Sequence, residues 1–177
     1  MTDWIETSTG NRISRKAEIT GSDRILIRGN CTISEDVKLQ GDVPLGGSSK
    51  GSITIGKYCY FGKGSVVVPP RIGDGGEETL HGPVEIGSYN IVGERCKIRS
   101  ASIGSRVLIE EDCTLGDLSI IYDCCVIRRG TVVPPRMIIP PYSDVSGVPG
   151  ENFLVEELPN SYKHILQTDA KRLHVLG

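Results

Sequence analysis

Aliphatic side chains recur at every sixth position through the second half of the chain: Ile103, Ile109, Leu115, Ile121, Ile127, Val133, Ile139 and Val145. Four positions after each stands a mostly small or slender residue, namely Val107, Cys113, Ser119, Cys125, Thr131, Met137, Ser143 and Pro149. The same frame runs upstream through Ile27, Ile33, Leu39 and Leu45, with Cys31, Val37 and Val43 in the slender position. It returns at Ile55, Phe61 and Val67, with Cys59 and Ser65, and at Ile86, Val92 and Ile98, with Asn90 and Cys96. Ile13, Ile19 and Ile25 predict a first coil. One residue is missing between Ile98 and Ile103, after which the frame resumes.

A helix would repeat its apolar stripe about every 3.6 residues, and a half-buried strand would alternate at every second one. One large and one slender inward residue per six describes three flat faces joined by tight corners, a coil of about 18 residues. Residues one coil apart then stack about 4.8 Å apart as parallel strands. Ile103, Ile121 and Ile139 form one ladder, and Ile109, Ile127 and Val145 another. The slender residue sits near the corner, where room is short. About seven coils fit between residues 13 and 149. The prediction is an all-β solenoid, a parallel β-helix over residues 1–150, with a corner insertion at 46–52 and a longer loop at 70–83. Such insertions either carry specificity or are solvated excursions. Past Gly150 the period is lost. After Pro159, residues 161–176 read as a helix with a partial apolar stripe of Tyr162, Ile165, Leu166, Leu173 and Leu176. Residues 151–177 are thus expected to pack a C-terminal α-helix on a prism face.

Composition agrees with the period. Glycine numbers 22, aromatics make up 5%, and Val, Ile and Thr are frequent, a mix suited to short strands and tight turns. The net charge of −2 steers the chain towards neither nucleic acid nor anionic membrane. The opening residues lack the basic and apolar regions of a secretion signal, and no apolar run is long enough to span a membrane. A soluble, cytosolic protein is expected.

Six cysteines raise the question of metals and disulfides. Cys31, Cys59, Cys96, Cys113 and Cys125 occupy the slender inward position, where a small apolar thiol packs well; only Cys124 is expected to point outward. Cys96 and Cys113 should stack on successive coils, and a reducing cytosol favours free thiols. Among the histidines, His164 and His174 fall in the predicted helix, while His81 lies alone in the long loop. A general base needs positioned neighbours, and none is recognisable beside His81. No nucleophile elbow and no phosphate-binding Gly-rich loop are present. Tyr58 and Tyr60 flank inward Cys59 and are read either as anchors for a partner or as ordinary surface tyrosines.

Several stretches carry resemblances. Residues 39–42, 53–56, 64–68 and 86–99 resemble the γ-class carbonic anhydrases, whose zinc-binding histidines would fall near Val68, Glu94 and Arg99. None is histidine, and the arginine before Gly-Asp in those enzymes is Gln40. No metal site, cofactor or catalytic residue is therefore expected. The hexapeptide acyltransferases supply the other enzymatic alternative, an acetyl-CoA-dependent reaction with His81 as base. More specifically, residues 5–15, 66–70, 109–113, Asp123-Cys-Cys-Val-Ile127, Thr131-Val-Val-Pro-Pro135, 139–142, 146–150 and Glu157-Leu-Pro159 resemble the dynactin subunit 5 family. The 70–83 loop and the 46–52 insertion depart from that family's pattern. The resemblance implies a left-handed coil and a non-catalytic role in the dynactin pointed-end complex, beside subunit 6, subunit 4 and an actin-related protein. It further implies cargo adaptors, early-endosome recognition for dynein transport along microtubules, and a cytoplasmic, cytoskeleton-associated location.

Overall fold

The computed structural model describes residues 3–47, 51–75 and 78–176, and only the backbone of 74, 75, 78 and 176. Three flat sheets enclose a triangular prism. Face A holds nine strands: Trp4–Glu6, Arg12–Ser14, Thr32–Ile33, Tyr60–Phe61, Ile91–Val92, Leu108–Ile109, Val126–Ile127, Ser143–Ser146 and Leu154–Glu157. Face B holds six: Glu18–Thr20, Lys38–Gln40, Val66–Val67, Lys97–Ile98, Thr114–Leu115 and Val132–Val133. Face C also holds six: Ile25–Gly29, Ile53–Lys57, Val84–Ile86, Ser102–Ile103, Ile120–Ile121 and Ile138–Ile139. Pairing within the prism is parallel and in register, with Ile103 beside Ile121 and Ile121 beside Ile139, and with Ile109 beside Ile127 and Ile127 beside Val145. The two end strands of face A run antiparallel to their neighbours. The solenoid is a left-handed parallel β-helix.

The interior is one continuous cluster, running from Cys31 and Ile33 to Ile139 and Val145 and almost wholly sealed from solvent. Each fully buried aliphatic contributes about 1.5–3 kcal/mol. Corners are made by a residue in the left-handed backbone region just before the slender position. Asn30, Asp36, Tyr58, Tyr89, Arg95, Arg106, Asp112, Leu118, Cys124, Arg136 and Tyr142 all show φ between 54 and 65°. That conformation costs an L-residue about 1–2 kcal/mol, so the prism accepts local strain to turn tightly. The residue missing between Ile98 and Ile103 is this left-handed one. Ser100 closes the shortened corner through a 2.7 Å hydroxyl contact with Ser119.

Leu45 departs from the sequence reading. The chain leaves the prism after Gly41, and Leu45 instead bridges His81 outside the core. His81 N–H donates to the Pro44 carbonyl and Gly46 N–H to the His81 carbonyl. The excursion therefore begins before residue 46; residues 48–50 of the expected insertion lie outside the described residues. The segment read as a loop at 70–83 holds an antiparallel strand pair, Arg71–Gly75 against Glu78–His81, and residues 76–77 lie outside the described residues. Arg71 makes a forked ion pair to Asp117 at 2.9 and 3.1 Å, pinning the strand pair to the prism.

The helix Tyr162–Leu176 lies along the outside of face A. Fifteen residues span about 22 Å, close to the five strand spacings of about 4.8 Å between its contacts at either end of the face. Leu166 and Ala170 are buried, whereas Ile165, assigned to the apolar stripe, is 48% exposed. Face A takes the helix because its outward positions Leu108 and Val126 are apolar and pack with Leu158, Leu166, Tyr142 and Tyr162. Arg12 Nη1 donates to the His174 carbonyl at 3.2 Å, placing a cation at the negative end of the helix. No helix among the described residues is long and apolar enough to cross a membrane.

Candidate functional site

The slender positions do more than save space. Cys31 Sγ donates to the Gly56 carbonyl, Cys59 to Gly87, Cys96 to Glu110 and Cys113 to Arg128, each at 3.0 Å. Ser65 Oγ does the same to Gly93 at 2.7 Å, and Asn90 Nδ2 to Gly104 at 2.8 Å. The thiols, hydroxyls and amides at the corners thus satisfy inward carbonyls of the following coil, which alanine could not do. The signal was the polar chemistry of the slender residues, read in sequence only as smallness.

All six cysteines are free and buried. The hydrogen bond to Cys31 and burial hold the Cys59 thiol well above its usual range. The hydrogen bond to Cys96 and burial do the same for Cys113. Burial pushes Cys125 up to about 11. The same pairings lower Cys31 and Cys96, so it is the sealing of every one of these thiols from solvent, rather than their titration, that keeps them from acting as nucleophiles or metal ligands. Cys124 lies outside the interior cluster, on the outward side as expected, yet it is only 2% exposed, with the Tyr142 side chain of the next coil beside it.

Tyr58 does not stand free. Its ring stacks on Tyr89 at 5.6 Å and 6°, and meets His174 edge-on at 5.9 Å. Arg106 and Lys171 lie 5.3 and 5.6 Å from the Tyr89 ring, and Arg106 Nε donates to Gln167 Oε1 at 2.8 Å. This corner ladder is the seat of the C-terminal helix. Tyr60 is separate. On the outward side of face A, it lines a groove of about 430 Å³ with Trp4, Thr32, Lys16, Lys63 and Glu94. Glu35 pairs with both lysines, at 3.9 and 3.4 Å, and with Asp3 and Glu94 also in the lining the groove carries three carboxylates to two ammonium groups, a slight negative excess.

Gln40, Val68 and Arg99 meet around a shallow cleft of about 180 Å³ with Val66 and Lys97. Glu94 is elsewhere, paired with Arg95 at 2.9 Å. A neutral amide, aliphatic walls and two cations do not fit a zinc ion, which needs imidazole, thiolate or carboxylate donors. Among the described residues, no group of three or more His, Cys, Asp or Glu is placed to hold a metal. His81 Nδ1 lies 2.7 Å from the Pro69 carbonyl. A carbonyl only accepts, so Nδ1 carries the proton and Nε2 is the free acceptor. The ring is oriented, but by a neutral partner that adds no carboxylate to its basicity.

Coil, corners and helix together define a hexapeptide-repeat β-helix. Among solved structures, the chain is similar to a hexapeptide transferase family protein from Anaplasma phagocytophilum. That match has a TM-score of 0.68 at 19% identity and covers 97% of this chain and 93% of that one. It is also similar to a mutant perosamine N-acetyltransferase from Caulobacter crescentus, with TM-score 0.58 at 14% identity over 82% and 56% of the two chains. At these identities the likeness concerns the fold. The family model for dynactin subunit 5 matches residues 1–174, and the chain belongs to that family. A curated relative, dynactin subunit 5 of Dictyostelium discoideum, is 33% identical over 102 residues, 58% of this chain. The matched stretch spans about half (48%) of that relative's length.

Proposed function

We propose that the chain is a non-catalytic structural subunit of the dynactin pointed-end complex, seated beside subunit 6, subunit 4 and an actin-related protein. In that place it contributes to recognition of cargo such as early endosomes, through cargo adaptors, for dynein transport. Its working location is then cytoplasmic and cytoskeleton-associated. The observation that carries this reading is an interior filled by packed aliphatics and satisfied corner donors, on a chain of the dynactin subunit 5 family. Such a prism is stiff, and a stiff surface docks with little loss of conformational entropy. Tyr60, half-buried in the groove beside Trp4, is the better of the two tyrosines as a partner contact, since Tyr58 is engaged by the chain's own helix.

Affinity isolation of the full chain from its own cells, with quantitative mass spectrometry, tests the proposal. Dynactin components should co-purify at fixed stoichiometry; their absence would reject it. A second reading, acyl transfer from acetyl-CoA, is favoured only by the oriented His81 ring. It requires calorimetric acetyl-CoA binding and turnover that His81→Ala abolishes.

A further inference from the structure

The cleft formed by Gln40, Val66, Val68, Lys97 and Arg99 repels a metal cation, and the same charges suit an anion. It lies on the outward side of face B, where Lys97 and Arg99 flank the inward Ile98 and stand about 6–7 Å apart along one line of backbone. Among the described residues no carboxylate lines it. Lys97 is exposed and Arg99 half-buried, and within the described residues neither side chain has an ion pair or a hydrogen bond. The Gln40 side-chain amide is likewise without a hydrogen bond there. Arg99 feels the charge of Asp117, but that carboxylate is already taken: Arg71 forks onto it and also donates its backbone N–H at 3.1 Å. The neighbouring corner is different. There Lys16 and Lys63 pair with Glu35, Arg95 with Glu94, Glu111 and Asp112, and Arg129 with Glu111. A half-buried guanidinium held without an ion pair costs stability, and a bound anion would recover that cost.

We infer that this cleft is a binding site for a phosphomonoester. An arginine fork takes two oxygens, a lysine ammonium a third, and the Gln40 amide N–H can meet a fourth. A tetrahedral phosphate offers that many; a carboxylate, with two, leaves donors unused. The charges also match, since a phosphomonoester carries close to −2 at pH 7 and faces two cations. Val66 and Val68 wall the cleft beside them, and their methyl groups suit the first carbons of an ester. A volume of about 180 Å³ is below the roughly 300–1,000 Å³ of a site that encloses a whole drug-sized ligand. The cleft therefore holds the phosphate and its first carbons, and the rest of the ligand lies outside. A soluble ester and a lipid headgroup present the same chemistry, and the flat outer surface of face B is open to both.

The test titrates the isotope-labelled full chain with inorganic phosphate, glycerol 3-phosphate, sulfate and acetate, read by NMR. The phosphates should shift the backbone amides of Gln40, Lys97 and Arg99, glycerol 3-phosphate binding more tightly than phosphate and acetate most weakly. Phosphate affinity should rise as pH passes through about 6, where the dianion forms, while sulfate affinity stays flat. Arg99→Gln and Lys97→Gln should each weaken binding about ten-fold. Arg99→Lys, which keeps the charge and loses the fork, should recover part of the loss. Arg129→Gln, which removes a cation elsewhere, should change it less than about two-fold. All four sites are on the surface, and an unchanged Tm shows that the fold is intact. Phosphatidylcholine vesicles with and without a phosphatidylinositol monophosphate decide the source. Recruitment that Arg99→Gln removes assigns the lipid; soluble binding without recruitment assigns the free ester. Absence of phosphate binding, acetate matching phosphate, or Arg129→Gln weakening binding as much as Arg99→Gln would overturn the inference.

Discussion

Asn90 is the most demanding of the corner clamps. Its side chain is fully buried; Nδ2 donates to the Gly104 carbonyl at 2.8 Å and Oδ1 accepts from the Val107 N–H at 2.8 Å. Asn90→Ala removes both contacts at once. A buried backbone group left without its partner costs about 1–3 kcal/mol, so the pair should cost about 2–6 kcal/mol before any cavity is counted. For a chain of this size each kcal/mol lowers Tm by about 2–4 °C, which predicts a fall of about 4–24 °C. Calorimetry and far-ultraviolet circular dichroism measure the shift, and hydrogen exchange locates it: the Val107 amide should lose protection before those of distant coils. Asn90→Ser, which restores one donor in the manner of Ser65, should recover part of the loss. An Asn90→Ala protein that loses less than about 1 kcal/mol and keeps its Val107 amide protected would refute the view that corner residues are chosen as donors.

Three further outcomes follow from the same geometry. Gly87→Ala would place a Cβ 2.7 Å from the Gly104 carbonyl oxygen in the next coil, and overpacking of this kind should cost about 1–3 kcal/mol in urea denaturation. Arg136 is exposed and held at φ 64°; Arg136→Gly relieves that strain and should raise stability by up to about 1–2 kcal/mol in the same assay. Burial, then the nearby Arg12, hold the His174 pKa below its usual value, so the ring docks neutral. Stability from helix docking is therefore present above the unfolded value near 6.5 and declines as pH falls below it. Protection of the last-turn amides, taken relative to their intrinsic exchange rates, should fall as pH drops below about 6.5, and His174→Gln should remove that dependence.

How much of this was legible depended on what forces each feature. The ladders were readable because in-register stacking leaves an inward side chain one direction only; Ile103, Ile121 and Ile139 align by arithmetic. Leu45 misled because the six-residue frame passes through it after the chain has left the prism. The Arg71–His81 strand pair was hidden by its glycines, which erase strand alternation. Tyr58 and Cys124 were judged by local direction alone, yet their burial is settled by Tyr89, Tyr142 and His174, residues distant in sequence. The face that receives the helix was in principle readable from Leu108 and Val126, apolar residues just before inward ones on successive coils.

The assembly role is tested most directly by sedimentation of cell lysate carrying either the unaltered chain or His81→Ala. The account predicts that both migrate with dynactin as a large particle in equal proportion, with little free chain of 19.1 kDa. A chain found mainly as a small free species, with acetyl-CoA turnover that disappears in His81→Ala, would contradict it.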